Sequence, residues 1–452
     1  MNLKEEARDV KEVLSRLKKK DFSGNTGQAV KNSSYQLLAN TIAKFGSLVF
    51  TIILAKMILP ENFGLYSLAL GTITIFTAFT GMGIGETLVR FVSKKLKENK
   101  TKKAKAYFVF LNKFRIILVS SMSIILIISS YWIANIYYQK PIFLALLAGA
   151  LYLPLMSLTA FFESLFMSVN DFKKVFLKEA LFQTLRFIVV ISLTLILLNA
   201  SVSSGTLISV IILSISLCYL IALFYYSISA KKINFLKEKS EELSYEEIRN
   251  LKQFIAPLAA VALSGIFFGY VDIIMLGYFV NSESIGQYSA AFNLAASIGT
   301  ILAFSAISLL PIFSRLKGKS LQTGLNKSRN LTLILSIMAA IVVFVLSKTI
   351  VELTYGVNYL DSIIPLKILS LAIILIPLTS LYASFFISQN KTKTLAFLLI
   401  ATTILNVILN YFFIIRGLEN GMLGAIIGVC YASIICKGIY LGSLMVSRKM
   451  LH

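Results

Sequence analysis

The sequence holds a single histidine, His452, at its last position. That scarcity excludes whole classes of chemistry, because no HExxH zinc motif, Ser-His-Asp triad or histidine proton relay can be assembled. Cysteine is nearly as rare. Cys218, Cys430 and Cys436 fall inside apolar stretches, where they read as small buried hydrophobes rather than disulfide partners or metal ligands. No metal or cofactor is therefore expected. Acidic residues are also few, 21 against 44 Lys and Arg, leaving a net charge of +23. The tripeptide Gly318-Lys319-Ser320 lacks the upstream glycine of a phosphate-binding loop, since Phe313 stands in its place, so no intrinsic ATPase is expected.

What the chain has in quantity is apolar sequence. Hydrophobic residues make up 57%, with a mean hydropathy of +0.80, well above soluble domains. They come in unbroken runs such as 116–130 and 331–346, long enough to cross most of a bilayer. The expectation is an all-α polytopic membrane protein with twelve transmembrane helices, at about 35–58, 65–92, 107–133, 142–167, 173–198, 204–229, 252–280, 285–314, 329–353, 362–388, 393–416 and 421–446. Of the 44 basic residues, 33 fall in the two termini and alternate loops, while the opposite loops carry only Lys56, Lys140, Lys348 and Arg416. This asymmetry predicts cytoplasmic termini in a plasma-membrane protein, and it reads the positive charge as a topology signal rather than a nucleic-acid surface.

Residues 1–34 are charged throughout, which leaves no place for a signal peptide's apolar core; Leu3, Val10, Val13, Leu14 and Leu17 recur at helical spacing, as in an amphipathic surface helix, with a solvated tail as the alternative. The loops opposite the basic side are short, for example 199–203 and 281–284, and leave no room for the catalytic loop of a membrane glycosyltransferase or polymerase.

There is an internal repeat. Glu61-Asn-Phe-Gly-Leu-Tyr-Ser-Leu-Ala69 aligns with Glu283-Ser-Ile-Gly-Gln-Tyr-Ser-Ala-Ala291 at an offset of 222, close to half the chain. Six helices per half is an even number, so the halves share one orientation. The sequence thus predicts two parallel six-helix lobes around a central cavity: 35–229 and 252–446, joined by a charged linker at 230–251 and followed by a tail at 447–452.

Seven cations fall within the predicted spans: Lys44, Arg90, Lys113, Arg115, Arg186, Lys367 and Lys437. A buried Lys or Arg at a span centre costs about 2.5–3.5 kcal/mol on insertion scales, so the deep ones should face a cavity or a partner. Arg186, Lys44 and Lys437 lie deepest and lead the assignment to a cationic substrate-binding cavity, with Arg115, Arg90 and Lys367 as further candidates. Arg90 and Lys113 are near span ends and can snorkel, and Arg115 and Lys367 lie between. Polar residues three and four apart extend these faces: Gln36, Asn40 and Lys44 on one helix, and Glu179, Gln183 and Arg186 on another. Ser433/Lys437/Tyr440, Asn293/Ser297/Thr300 and Thr402/Asn406/Asn410 form similar stripes, for which interhelical glue and cavity lining both remain open. A cavity dominated by cations implies an anionic ligand such as phosphate. Among the acids, Glu86 can pair with Arg90 and Glu179 with Arg186. Asp272 and Glu179 are the candidates for ion coupling, with structural pairing or helix–helix hydrogen bonding as the alternative.

Several motifs resemble one known family. LPENFGLYSLA (59–69) and TGMGIGETLVRFVSK (80–94), then GYVDIIMLGYFVNSESIGQYSAA (269–291), LLPIFSRL (309–316) and YGVNYLDSIIPLKILSLAIILIPL (355–378), resemble successive elements of the polysaccharide-transporter flippases, O-antigen-type members of the multidrug/oligosaccharidyl-lipid/polysaccharide exporter superfamily. The resemblance spans about 30–445. It implies a two-lobed alternating-access transporter, not an enzyme, that flips a polyprenyl- or dolichyl-linked oligosaccharide within the membrane lipids, with glycosyltransferases of the same pathway as candidate partners. A cation-coupled multidrug antiporter of the same superfamily is the alternative, and would be expected to rely on membrane-embedded carboxylates.

Overall fold

The computed structural model describes residues 24–307, 318–389 and 391–449, and every regular element among them is helical. Helix α1 (Gly24–Gly81) turns sharply at Leu59, whose φ of 66° and ψ of 167° break the helix ahead of Pro60. A residue before proline is driven out of helical backbone, while proline itself suits a helix start. α1 therefore makes two crossings, and α2 (Ile84–Lys97) completes the second. The next four are α3 (Thr101–Tyr131) with a π turn at Trp132–Tyr137, α4 (Phe143–Ser168), α5 (Phe172–Leu185) running through a π turn into α6 (Ile191–Asn199), and α7 (Ser204–Ala230).

The second lobe repeats this plan. It comprises α8 (Tyr245–Phe279), α9 (Ser282–Ile307), α10 (Gly318–Val345) with α11 (Ser347–Thr354), α12 (Ile363–Leu369) bent by 47° against α13 (Ala372–Ser388), α14 (Thr392–Leu418) and α15 (Gly421–Lys449). Among the described residues nine helices are long and apolar enough to cross a membrane, or ten with the bent pair; counting the two arms of α1 on either side of Leu59 separately and adding α9 gives twelve crossings, six in each lobe, as the sequence predicts. Large apolar side chains such as Ile117, Ile128, Ile341 and Phe344 are exposed on the outer faces. In water that would be a liability; against acyl chains it is the expected arrangement.

Several boundaries shift for identifiable reasons. Of the segment 1–34 expected to form an amphipathic surface helix, residues 24–34 belong to the first spanning helix and 1–23 lie outside the described residues, as do 450–452 of the tail. The connection between lobes shortens to 231–244 because Ser244 caps α8. Its Oγ accepts from Glu247 N at 3.3 Å and its own N donates to Glu247 Oε2 at 2.9 Å, a reciprocal pair that starts the helix seven residues early. The connection is docked rather than loose: Phe235 is buried, Lys105 bonds the Glu238 carbonyl, and Lys103 lies 3.0 Å from Glu247.

The two copies of the repeat meet each other. A Cβ on Gly64 would lie 2.8 Å from Gly286 N, and one on Gly286 would lie 2.8 Å from Pro60 C, so only glycine lets these backbones cross. Around this crossing Tyr359 Oη donates to Ala55 O at 2.8 Å and Lys140 Nζ to Gly277 O at 2.6 Å. Burial pushes the Lys140 ammonium pKa down. The lobes are thus closed together at the end opposite the basic loops. Toward the basic end, among the described residues, they touch at a seam where the Arg90 guanidinium sits 4.4 Å from the Phe254 ring centre and Gly83 backs onto Leu258.

Candidate functional site

Arg186 is carried deep into the first lobe by α5, roughly 20 Å from that helix's start at ~1.5 Å per residue. It opens the π turn Arg186–Val190, a local widening often found where a helix presents a functional side chain. Its guanidinium carbon lies 4.2 Å from the centre of the Phe50 ring and 5.6 Å from that of Phe182. The ring quadrupoles hold the cation there. Yet Nε and Nη2 are buried with no hydrogen-bond partner among the described residues. Unused donors on a charged group in a low-dielectric interior are costly until an acceptor reaches them.

Two cavities meet at this residue. The inner one, about 280 Å³, is walled by Phe50, Tyr66, Tyr152, Tyr219, Tyr270 and Asn293 among others, and no carboxylate lines it among the described residues. Tyr270 and Asn293 belong to α8 and α9, so both lobes close it. The outer one, about 210 Å³, is lined by Lys44, Lys178, Glu179 and Gln183. Ser47, Phe182, Arg186 and Tyr219 border both.

The carboxylates near Arg186 are committed elsewhere. Lys178, within the span predicted for 173–198, is a buried helical residue whose Nζ lies 2.6 Å from Glu163 Oε2 and 2.9 Å from Glu179 Oε2. Glu179 also accepts from Gln183 Nε2 at 2.7 Å. It therefore pairs with Lys178 rather than with Arg186. Gly46 makes the fit possible, since a Cβ there would meet Gln183 Oε1 at 2.9 Å.

The other predicted residues disperse. Lys44 lines the outer cavity, and Gln36 and Asn40 are exposed on the same helix, toward its basic end. Arg115 is buried within the first lobe, where its Nε donates to Ser157 Oγ at 3.0 Å and that hydroxyl donates to Thr80 Oγ1 at 3.0 Å. Arg90 stacks on Phe254 at the seam. Lys367 is exposed, with Nζ 6.0 Å from the Phe344 ring. None of these three lines either cavity.

Lys437 joins Asp272 in the second lobe. Asp272 is buried and accepts from Tyr288 Oη at 2.7 Å and Asn410 Nδ2 at 2.7 Å. Ser433 Oγ also donates to it and accepts in turn from Lys437 Nζ at 3.0 Å. Two amide atoms beside this cage, Asn406 Nδ2 and Asn410 Oδ1, are buried without partners.

Sequence reasoning missed the aromatic walls. Tyr66, Tyr152, Tyr219 and Tyr270 lie on α1, α4, α7 and α8, and no spacing rule connects residues on four helices. An excess of tyrosine, 20 residues in a lipid-soluble chain, is the one signal that could have prompted the search.

The family described as "Polysaccharide biosynthesis protein" matches residues 29–317, and the family described as "MatE" matches 257–412. An uncharacterized membrane protein of Methanocaldococcus jannaschii is 25% identical over 369 residues, covering 76% of this chain and 70% of its own. The fold is shared with the lipid II flippase MurJ in an inward closed conformation (TM-score 0.68, 17% identity, 93% of this chain and 87% of that one). It is also shared with an inward-facing multidrug resistance MATE family transporter of the MOP superfamily (TM-score 0.66, 12% identity, 92% and 98%).

Proposed function

The chain belongs to the polysaccharide biosynthesis protein family, and on that premise we propose that it is a flippase for a lipid-linked oligosaccharide. The substrate's polyprenyl- or dolichyl-linked phosphate or pyrophosphate enters from the cytoplasmic side, where the basic loops lie, and the lobes rock to release it in the outer leaflet. The observation that carries this reading is Arg186: a cation whose buried donors go unused, and whose cavity no carboxylate lines, among the described residues. Phosphate supplies the acceptors that a guanidinium fork requires, and Lys44 adds a second positive charge at the outer cavity. The closed end opposite the basic loops and the inward-facing relatives of the same fold fit entry from the cytoplasm.

The test is translocation in proteoliposomes of a fluorescent short-chain polyprenyl-pyrophosphoryl sugar, read by an impermeant quencher. Wild type should accelerate flipping, and the Arg186→Ala protein should lose most of that acceleration while keeping its thermal stability. Full activity in the variant would remove Arg186 from the mechanism.

One observation favours the multidrug antiporter as second reading: a buried carboxylate, Asp272, in the lobe that the MatE family matches. Ion-gradient-driven movement of a cationic dye, abolished by Asp272→Asn and indifferent to Arg186→Ala, would support it. That no carboxylate among the described residues lines the inner cavity weighs against a cationic cargo.

A further inference from the structure

Resting on the flippase reading, we infer that the chamber beyond Arg186 is a subsite for the one sugar ring attached to the lipid's phosphate, and that this ring sets the substrate preference. The chamber's walls are the first argument. Phe182 and Tyr219 lie 4.4 Å apart between ring centres, Tyr219 meets Tyr152 edge-on at 5.5 Å, and Tyr66 and Tyr270 complete the box. A pyranose has an apolar C–H face and a polar rim of hydroxyls. Aromatic faces suit the first, while phenol hydroxyls, Ser67 and the Asn293 amide suit the second. A prenyl chain would set hydrocarbon against the hydroxyl and amide groups of this wall, and a bare phosphate would leave the rings without a contact.

Size is the second argument. A volume of about 280 Å³ falls just below the ~300–1,000 Å³ of drug-sized sites. It accommodates one ring and excludes a branched glycan, whose remaining sugars extend into the cleft between the lobes. Position is the third. The chamber begins where Arg186 ends, so a phosphate held by the guanidinium places the ring bonded to it inside the box. Because Tyr270 and Asn293 come from the second lobe, the subsite is complete only while the lobes are together. Recognition of the first sugar is therefore tied to the state in which the substrate is held.

The experiment measures binding to the full-length protein in nanodiscs of two probes: a short-chain prenyl pyrophosphate, and the same lipid carrying one N-acetylhexosamine. Wild type should prefer the sugar-bearing probe by about tenfold, equivalent to ~1.4 kcal/mol. Tyr219→Leu should collapse that ratio toward one, and Tyr219→Phe should retain most of it because the ring remains. Arg186→Gln should weaken both probes by a common factor and leave the ratio standing. A ratio near one in wild type, or one unchanged by Tyr219→Leu, overturns the sugar subsite. If both probes still bind through Arg186 in that case, the flippase reading survives the loss. If neither probe binds wild type at all, both readings fall together.

Discussion

Replacing Gly286 with alanine places a methyl group inside the backbone of the repeat's other copy. Its Cβ would lie 2.8 Å from Pro60 C, whereas ordinary contact begins at 3.4 Å, so the lobes must part by at least about 0.6 Å at this crossing. The obstacle is backbone, which cannot rotate aside as a side chain would. Overpacking of this kind costs roughly 1–3 kcal/mol, and here it is charged only to the state in which the two ends are closed. The gain of alanine over glycine in helix propensity, about 1 kcal/mol, applies to open and closed states alike and protects the fold. The closed-to-open ratio should therefore fall by a factor of about 5–150. Spin labels at Ser201 and Glu419, both exposed in loops of opposite lobes at this end, report the change by pulsed electron double resonance. The variant should show a longer-distance population that is small in wild type, and Gly64→Ala should reproduce it. An unchanged distance distribution in both variants would refute the claim that this crossing holds the end shut.

Other substitutions test the two buried charge clusters. Lys178→Met strands two carboxylates, and loss of one partner in a buried pair costs about 3–5 kcal/mol; the melting temperature should drop sharply and recover when Glu163→Gln and Glu179→Gln are added. Asp272→Asn deprives Tyr288 and Ser433 of a charged acceptor, and charge-assisted hydrogen bonds contribute roughly 1.5–3 kcal/mol, so a lower melting temperature is expected even where transport persists. Asp272→Asn that is as stable as wild type would show that the cage contributes nothing to the fold. At the seam, Phe254→Leu should remove the Arg90 stack, worth ~0.5–1 kcal/mol at an exposed site, and change the flipping rate without altering substrate affinity.

Much of this was legible before any coordinates. Periodic apolar runs and the lopsided placement of Lys and Arg were enough for twelve crossings, because the bilayer imposes length and polarity on each span separately. The repeat at Glu61 and Glu283 was equally plain, though not that its two glycines would touch. Arg186 stood out because depth can be counted along a helix. What remained hidden depends on rotation and neighbours. Lys178 looked like a cation at the basic end of its span, yet one turn of helix places it between Glu163 and Glu179. Lys437 and Lys44 looked equivalent by depth, but one serves Asp272 and the other borders a cavity. Lys367, which depth places between the deep cations and the terminal ones, is exposed on its helix. A one-dimensional pattern fixes how far a residue lies from the interface and leaves open which way it faces.

The meeting of Gly64 with Gly286 also locates the pseudo-two-fold axis of the chain. Carried across it by the repeat offset of 222, Phe50 falls on Asp272. The same rung of the scaffold thus bears, in one half, the ring that supports a guanidinium and, in the other, a caged carboxylate. The two halves thus carry different chemistry on a common frame: an aromatic-supported guanidinium in one, a carboxylate caged with Lys437 in the other.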